Sequence, residues 1–158
     1  MSNNGDGDVL GETYLLNRGV LVETFLSHGG EIDSFPHCAK ISERLNRDLD
    51  TVRLSKDWKA VKEILWIPVS NCKVGRAYWL ARPLPAFKKL KFIAPVGSDS
   101  LPWIPQKTRD IAKDIDSPIV ITEGPIKAMA SLQAGSTNQF AGSLGIGREE
   151  EGRTRTTI

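Results

Sequence analysis

Cysteine and histidine are scarce: the chain of 158 residues holds two of each. Cys38 and Cys72 stand 34 positions apart in no paired spacing, which excludes a zinc knuckle or a CxxC redox site. His28 and His37 cannot build a histidine-rich metal centre, and His37-Cys38 reads as a loop pair rather than two ligands. No apolar run reaches membrane-spanning length, and the polar, acidic opening SNNGDGD is not a signal peptide. The expectation is a reduced, cytoplasmic protein with no membrane partner. Net charge is only +2, too little to argue for nucleic acid alone. Internal repeats are absent, and no aspartate follows Asp116.

What remains is ordinary globular material, 40% apolar and 25% charged, with 14 Gly and 9 Pro marking many turns. Residues 1–10 read as a disordered leader. Gly11 to Gly30 carries a helical pattern broken at Gly19, as for two short packed helices. Glu31 to Glu63 is mixed and charged, with one short helix expected over Ile41 to Leu49. The period then changes. Ile64 to Val69 and Arg76 to Arg82 read as the two strands of a hairpin, with Ser70 to Gly75 as its loop. Pro68 predicts an edge strand or a strand end. Lys91 to Ala94 reads as a third short strand, and Thr108 to Asp114 as a helix.

The segment Ser117 to Gly135, SPIVITEGPIKAMASLQAG, is the most informative. Ile119-Val120-Ile121 is apolar and β-branched, as in a strand covered on both faces. Glu123 stands where that strand stops. Gly124 allows a turn, and Pro125 suits the first helical position, where its missing N–H is harmless. Gly135 suits a left-handed cap after a helix over Ile126 to Gln133. A carboxylate at a parallel strand's end, beside a helix N-terminus, lies where open α/β sheets bind ligands. Gln139 to Ala141 reads as one more strand, and residues 148–158 as a polar tail.

The order of these pieces resembles the core of DnaG-type bacterial primases and the toprim-related domains of phage and plasmid primase-helicases. Tyr14 to Gly19, with Glu23-Thr24 after it, looks like their "YLxxRGI...ET" opening. Ile64 to Val69, Gly75 and Ala81-Arg82 are similar to their hairpin. Lys91-Phe92 with Pro95 looks like their "PKYLNSP" segment. Thr122-Glu123-Gly124, with Ser143-Leu144-Gly145 downstream, resembles the first toprim motif and the strand after it. The likeness covers most of residues 12 to 147.

The resemblance implies an α/β fold: a primase-core-like part of helices and hairpin over 11–116, then the first half of a toprim-like parallel sheet over 117–147. It implies DNA replication for a mobile genetic element, phage or plasmid, with single-stranded DNA or a nucleotide as ligand and a replicative helicase as partner. Glu123 matches the toprim glutamate, an acid/base or metal-shaping carboxylate. Arg82 and Lys91 match basic residues that line the nucleotide and template channel of primases, and Lys88 and Lys89 stand beside Lys91 as further candidates for nucleotide or nucleic-acid contact. Such side chains act by a forked guanidinium or a point charge. Two departures matter. Lys127 stands where primases carry an aspartate, and the Asp-x-Asp pair that would complete a Mg2+ site is missing. Glu123 alone is an incomplete metal site, so the expectation is no tightly bound Mg2+, no primer synthesis by this chain alone, and an end of the chain before the metal site is built.

Blander readings compete. Glu123 beside a helix N-terminus gains about 0.3–1 kcal/mol with no chemistry involved. Lys88, Lys89 and Lys91 suit a solvated strand end. Trp66 suits the core, Trp79 lies on the strand face opposite Tyr78 and Leu80, and Trp103 suits a loop anchor. Two other functions stay open: a non-catalytic single-stranded nucleic-acid-binding module, and an unrelated small-ligand α/β domain.

Overall fold

The computed structural model describes residues 10–71, 75–99, 101–105, 116 and 120–135. The elements in chain order are α1 (Leu10–Leu16), α2 (Val22–Ser27), β1 (Glu31–Asp33), α3 (Cys38–Leu45), α4 (Leu49–Leu54), α5 (Lys56–Lys59), β2 (Glu63–Asn71), β3 (Gly75–Leu84) and α6 (Pro125–Gln133). Among the described residues no helix is long and apolar enough to cross a membrane.

The sheet is antiparallel, in the order β1-β2-β3. β2 pairs with β3 from Glu63↔Leu84 to Asn71↔Gly75, with a register shift between Val69 and Ser70. β1 pairs only with the start of β2, Glu31↔Trp66 to Asp33↔Ile64. The hairpin read from the sequence is therefore present, with strands longer than expected. Pro68 sits in the middle strand of the sheet, against the edge-strand expectation. Its place is physically sound because the pairing with β1 reaches only to Trp66, so at Pro68 the strand has β3 as its one paired neighbour among the described residues.

Alternation along the strands builds two cores. Leu65, Ile67, Val69, Leu80 and Leu84 face Leu15, Val20 and Phe25 of the α1–α2 pair and Ile126 and Met129 of α6. Ile64, Trp66 and Ala81 face Ile41, Leu45, Val52 and Trp58 of α3, α4 and α5. Ile64 to Ile67 are fully buried, each contributing roughly 1.5–3 kcal/mol as an upper estimate. Trp66 is core, and Trp79 lies on the opposite face from Tyr78 and Leu80, as the alternation predicts. Trp103 is buried and meets His28 edge-on, with centroids 5.6 Å apart.

Local chemistry explains the helix ends. Gly19 takes φ +73° at the break between α1 and α2, a conformation that side chains resist. His37 is a cap rather than a loop accident: its Nδ1 accepts from Ala39 N–H. Asn46 closes α3 in the left-handed region at φ 47°, so this helix runs earlier than the expected Ile41 to Leu49. Asp48 and Ser55 cap α4 and α5 by accepting from Thr51 and Trp58 N–H.

The parallel half-sheet expected over 117–147 is not what the described residues form, since every paired strand is antiparallel. Val120 and Ile121 belong to no named strand and are 41% and 61% exposed, not buried on two faces. The third strand expected over Lys91 to Ala94 is reduced to one antiparallel bridge, Ile93 to Ala81. The expected leader up to residue 9, the helix at Thr108 to Asp114, residues 117–119 of the expected strand, the strand at Gln139 to Ala141 and the tail lie outside the described residues.

Candidate anion-binding site

Four separated segments meet at one pocket of about 110 Å³. α1 contributes Tyr14 and, one turn later, Arg18 just beyond its end, with the Arg18 guanidinium 5.5 Å from the Tyr14 ring centroid. β3 contributes Arg82, which shares the sheet face of Leu80 and Leu84 and so points to the α1 side. The Ala81–Ile93 bridge fixes the segment after β3, bringing Lys91 and Phe92 beside Arg82. α6 contributes its N-terminal end, with Glu123, Gly124, Ile126 and Lys127.

Arg82 is the unusual member. It is 6% exposed, yet among the described residues its one hydrogen bond runs from Nη1 to the Lys91 carbonyl at 3.0 Å. Its Nε is buried without a partner. The guanidinium lies 4.8 Å from the Tyr14 ring centroid and 5.2 Å from that of Phe92. These rings hold it by cation–π attraction but satisfy no N–H. Burial pushes its pKa down; Tyr14 opposes this and the nearby Arg18 charge adds to it. An arginine remains charged at neutral pH even so.

Among the described residues Glu123 is the one carboxylate lining the pocket. It accepts from Lys127 Nζ one helical turn on. That hydrogen bond and the Lys127 charge hold its pKa below the usual range, with smaller help from Lys91 and Arg18 against a slight burial effect. The side chain is 77% exposed, so water screens these attractions. Pro125 occupies the first helical position and Gly135 takes φ +94° past the helix end, both as expected. Gly124 caps α6 at φ −179°, an extended conformation open to any residue, and an added Cβ would meet nothing within 4 Å. The turn therefore does not need glycine.

Of the residues named from the sequence, Glu123, Arg82, Lys91, Gly124 and Pro125 come together here, Pro125 as the buried first residue of α6. Lys88 and Lys89 are exposed and do not line the pocket. Sequence reasoning missed Arg18, Lys127, Tyr14 and Phe92 as site residues. The signal lay in two i,i+4 pairs, Tyr14 with Arg18 and Glu123 with Lys127, which place each pair on one side of a turn.

The arrangement suits an anion. Among the described residues four cations surround one carboxylate, and that carboxylate is already paired. The uncapped start of α6 adds its positive dipole end. The same set does not fit a magnesium ion, which takes several oxygen ligands. Among the described residues no group of three or more His, Cys, Asp or Glu is gathered. Comparison with family models, curated proteins and solved structures gave no match.

Proposed function

We propose that the chain binds phosphate groups of a nucleotide or single-stranded nucleic acid, as a fragment of a primase-type DNA replication protein from a mobile element. The observation that carries this is Arg82. A buried guanidinium with an unpartnered N–H, clasped by two rings and ringed by three further cations, is costly unless an anion arrives. A forked guanidinium and two ammonium groups match phosphate oxygens. The primase reading gains support from where its sequence segments end up. Tyr14 and Arg18, Arg82, Lys91 and Phe92, and Glu123 and Gly124 come one group from each of four such segments, and all line the same pocket.

Binding rather than primer synthesis is the role proposed for this chain by itself, since one lysine-paired glutamate offers a poor seat for two metal ions. The test is fluorescence anisotropy with a labelled single-stranded oligonucleotide over a salt series. Log affinity should fall against log salt with a slope of about −0.7 per phosphate neutralised. Arg82→Ala and Lys91→Ala should each weaken binding at least tenfold. Absence of binding at low salt, or indifference to both substitutions, would sink the reading.

A further inference from the structure

We infer that a second, apolar pocket next to the phosphate site receives the nucleoside of a bound nucleotide, with Tyr14 as the wall between the two. The inference rests on the phosphate reading above and names the ligand more closely. The phosphate pocket holds about 110 Å³, the space of about three or four waters at about 30 Å³ each, which one phosphate group largely fills. The remainder of any ligand must leave it. On α1 the pocket is bounded by Tyr14 and Arg18, and Tyr14 also lines a cavity of about 460 Å³. That volume falls in the range of small-molecule sites, about 300–1,000 Å³.

The lining of the larger pocket suits a flat heterocycle on a sugar. Leu10, Leu84, Pro85 and the Tyr14 ring give apolar walls. Asn17 and Lys62 stand among them. An amide offers both donor and acceptor to a base edge, and an ammonium offers donors alone. Base stacking on an aromatic wall tolerates any base, so this pocket would add affinity to nucleotides in general. Leu10, Thr13, Tyr14 and Asn17 recur at helical spacing, so one side of α1 forms a continuous wall. Leu84 is pinned opposite, because its carbonyl accepts from Lys62 N–H at 2.9 Å.

The experiment compares two polyanions by calorimetry: adenosine triphosphate, and tripolyphosphate, which lacks the nucleoside. The chain should bind the nucleotide at least tenfold more tightly. Thr13→Trp, at an exposed helix position lining the larger pocket, should abolish that advantage while leaving tripolyphosphate affinity within twofold. Methyl signals of Leu10 and Leu84 should move with the nucleotide and stay still with tripolyphosphate. Equal affinity for the two ligands, or a Thr13→Trp variant that keeps the full advantage, would overturn the nucleoside pocket and leave the phosphate site standing. Failure of both ligands to bind would overturn the phosphate reading and this inference together.

Discussion

Gln133 clasps Gly19 from the far end of the sequence. Its Nε2 donates to the Gly19 carbonyl at 3.2 Å, and its Oε1 accepts from the neighbouring Leu21 N–H at 2.8 Å. One amide thus satisfies both sides of the turn that follows Arg18. The clasp sits at the last residue of α6, while Glu123 and Lys127 stand at the helix's start. The distance between Arg18 and that start is therefore set by a rigid rod tied at its opposite end.

Gln133→Ala should remove both hydrogen bonds. The clasp is exposed, so the loss is about 1 kcal/mol of stability, within the usual range for such bonds. Phosphate-ligand affinity should drop several-fold because Arg18 and α6 lose their common anchor. Thermal denaturation checks the first effect and anisotropy the second. Unchanged affinity in a destabilised variant would show that the clasp is structural only.

Arg82→Met separates binding from stability. Methionine keeps an unbranched apolar stem between Tyr14 and Phe92 and removes the buried charge with its unpartnered Nε. Exchanging a buried charge for apolar volume is often neutral or stabilising, by about 1–4 kcal/mol. The melting temperature should hold or rise while oligonucleotide binding falls at least tenfold. A large drop in melting temperature would assign Arg82 to the fold instead.

Glu123 competes with the ligand for Lys127. Glu123→Gln should therefore tighten phosphate binding several-fold at neutral pH without added divalent ions, measured by calorimetry with inorganic tripolyphosphate. Weaker binding in that variant would mean that the carboxylate itself meets the ligand.

Acid should weaken the fold through its lowered carboxylates, among them the α4 cap Asp48, which the Thr51 hydrogen bonds hold down. Hydrogen bonding from Arg44 lowers Glu31, helped by the Arg44 and Lys40 charges against partial burial. Burial raises Asp33, but hydrogen bonds from Lys40 and Trp66 outweigh it and the net shift is downward. Lys127 lowers Glu123. A depressed folded-state pKa gives stability that is complete above the unfolded value and disappears as pH falls through the folded one. Urea midpoints should thus be flat from neutrality to about pH 5 and decline below the ordinary carboxylate range of about 4. Lys40→Met should blunt part of that decline, since it removes a partner of both Glu31 and Asp33.

Much of the fold was legible wherever a local rule governs it. Gly19 announces the break between two helices, Pro125 and Gly135 bracket α6, and the apolar run with its turn announces the hairpin. β1 was not legible because nothing local makes Glu31-Ile32-Asp33 a strand. Its charges are held by tertiary partners: Arg44 forks onto Glu31, and Trp66 Nε1 donates to Asp33. α4 and α5 are too short for a periodic pattern, although their caps at Asp48 and Ser55 are readable afterwards. Val120 and Ile121 misled because an apolar run states a preference for burial, not whether a covering layer reaches it. For the site, Glu123 comes from the strand–carboxylate–helix pattern as well as the resemblance, Arg82 and Lys91 from the resemblance, and Lys127 stands as a departure from it. Its partnership with Glu123 follows from helix spacing alone.

The Gln133–Gly19 contact spans 114 positions. Closing so large a loop is slow and entropically unfavourable, and local helices and hairpins form well before it. Ligand-binding competence should thus be the final property that a refolding chain acquires. A single protease nick ahead of α6 would erase it while leaving the hairpin's own pairing intact.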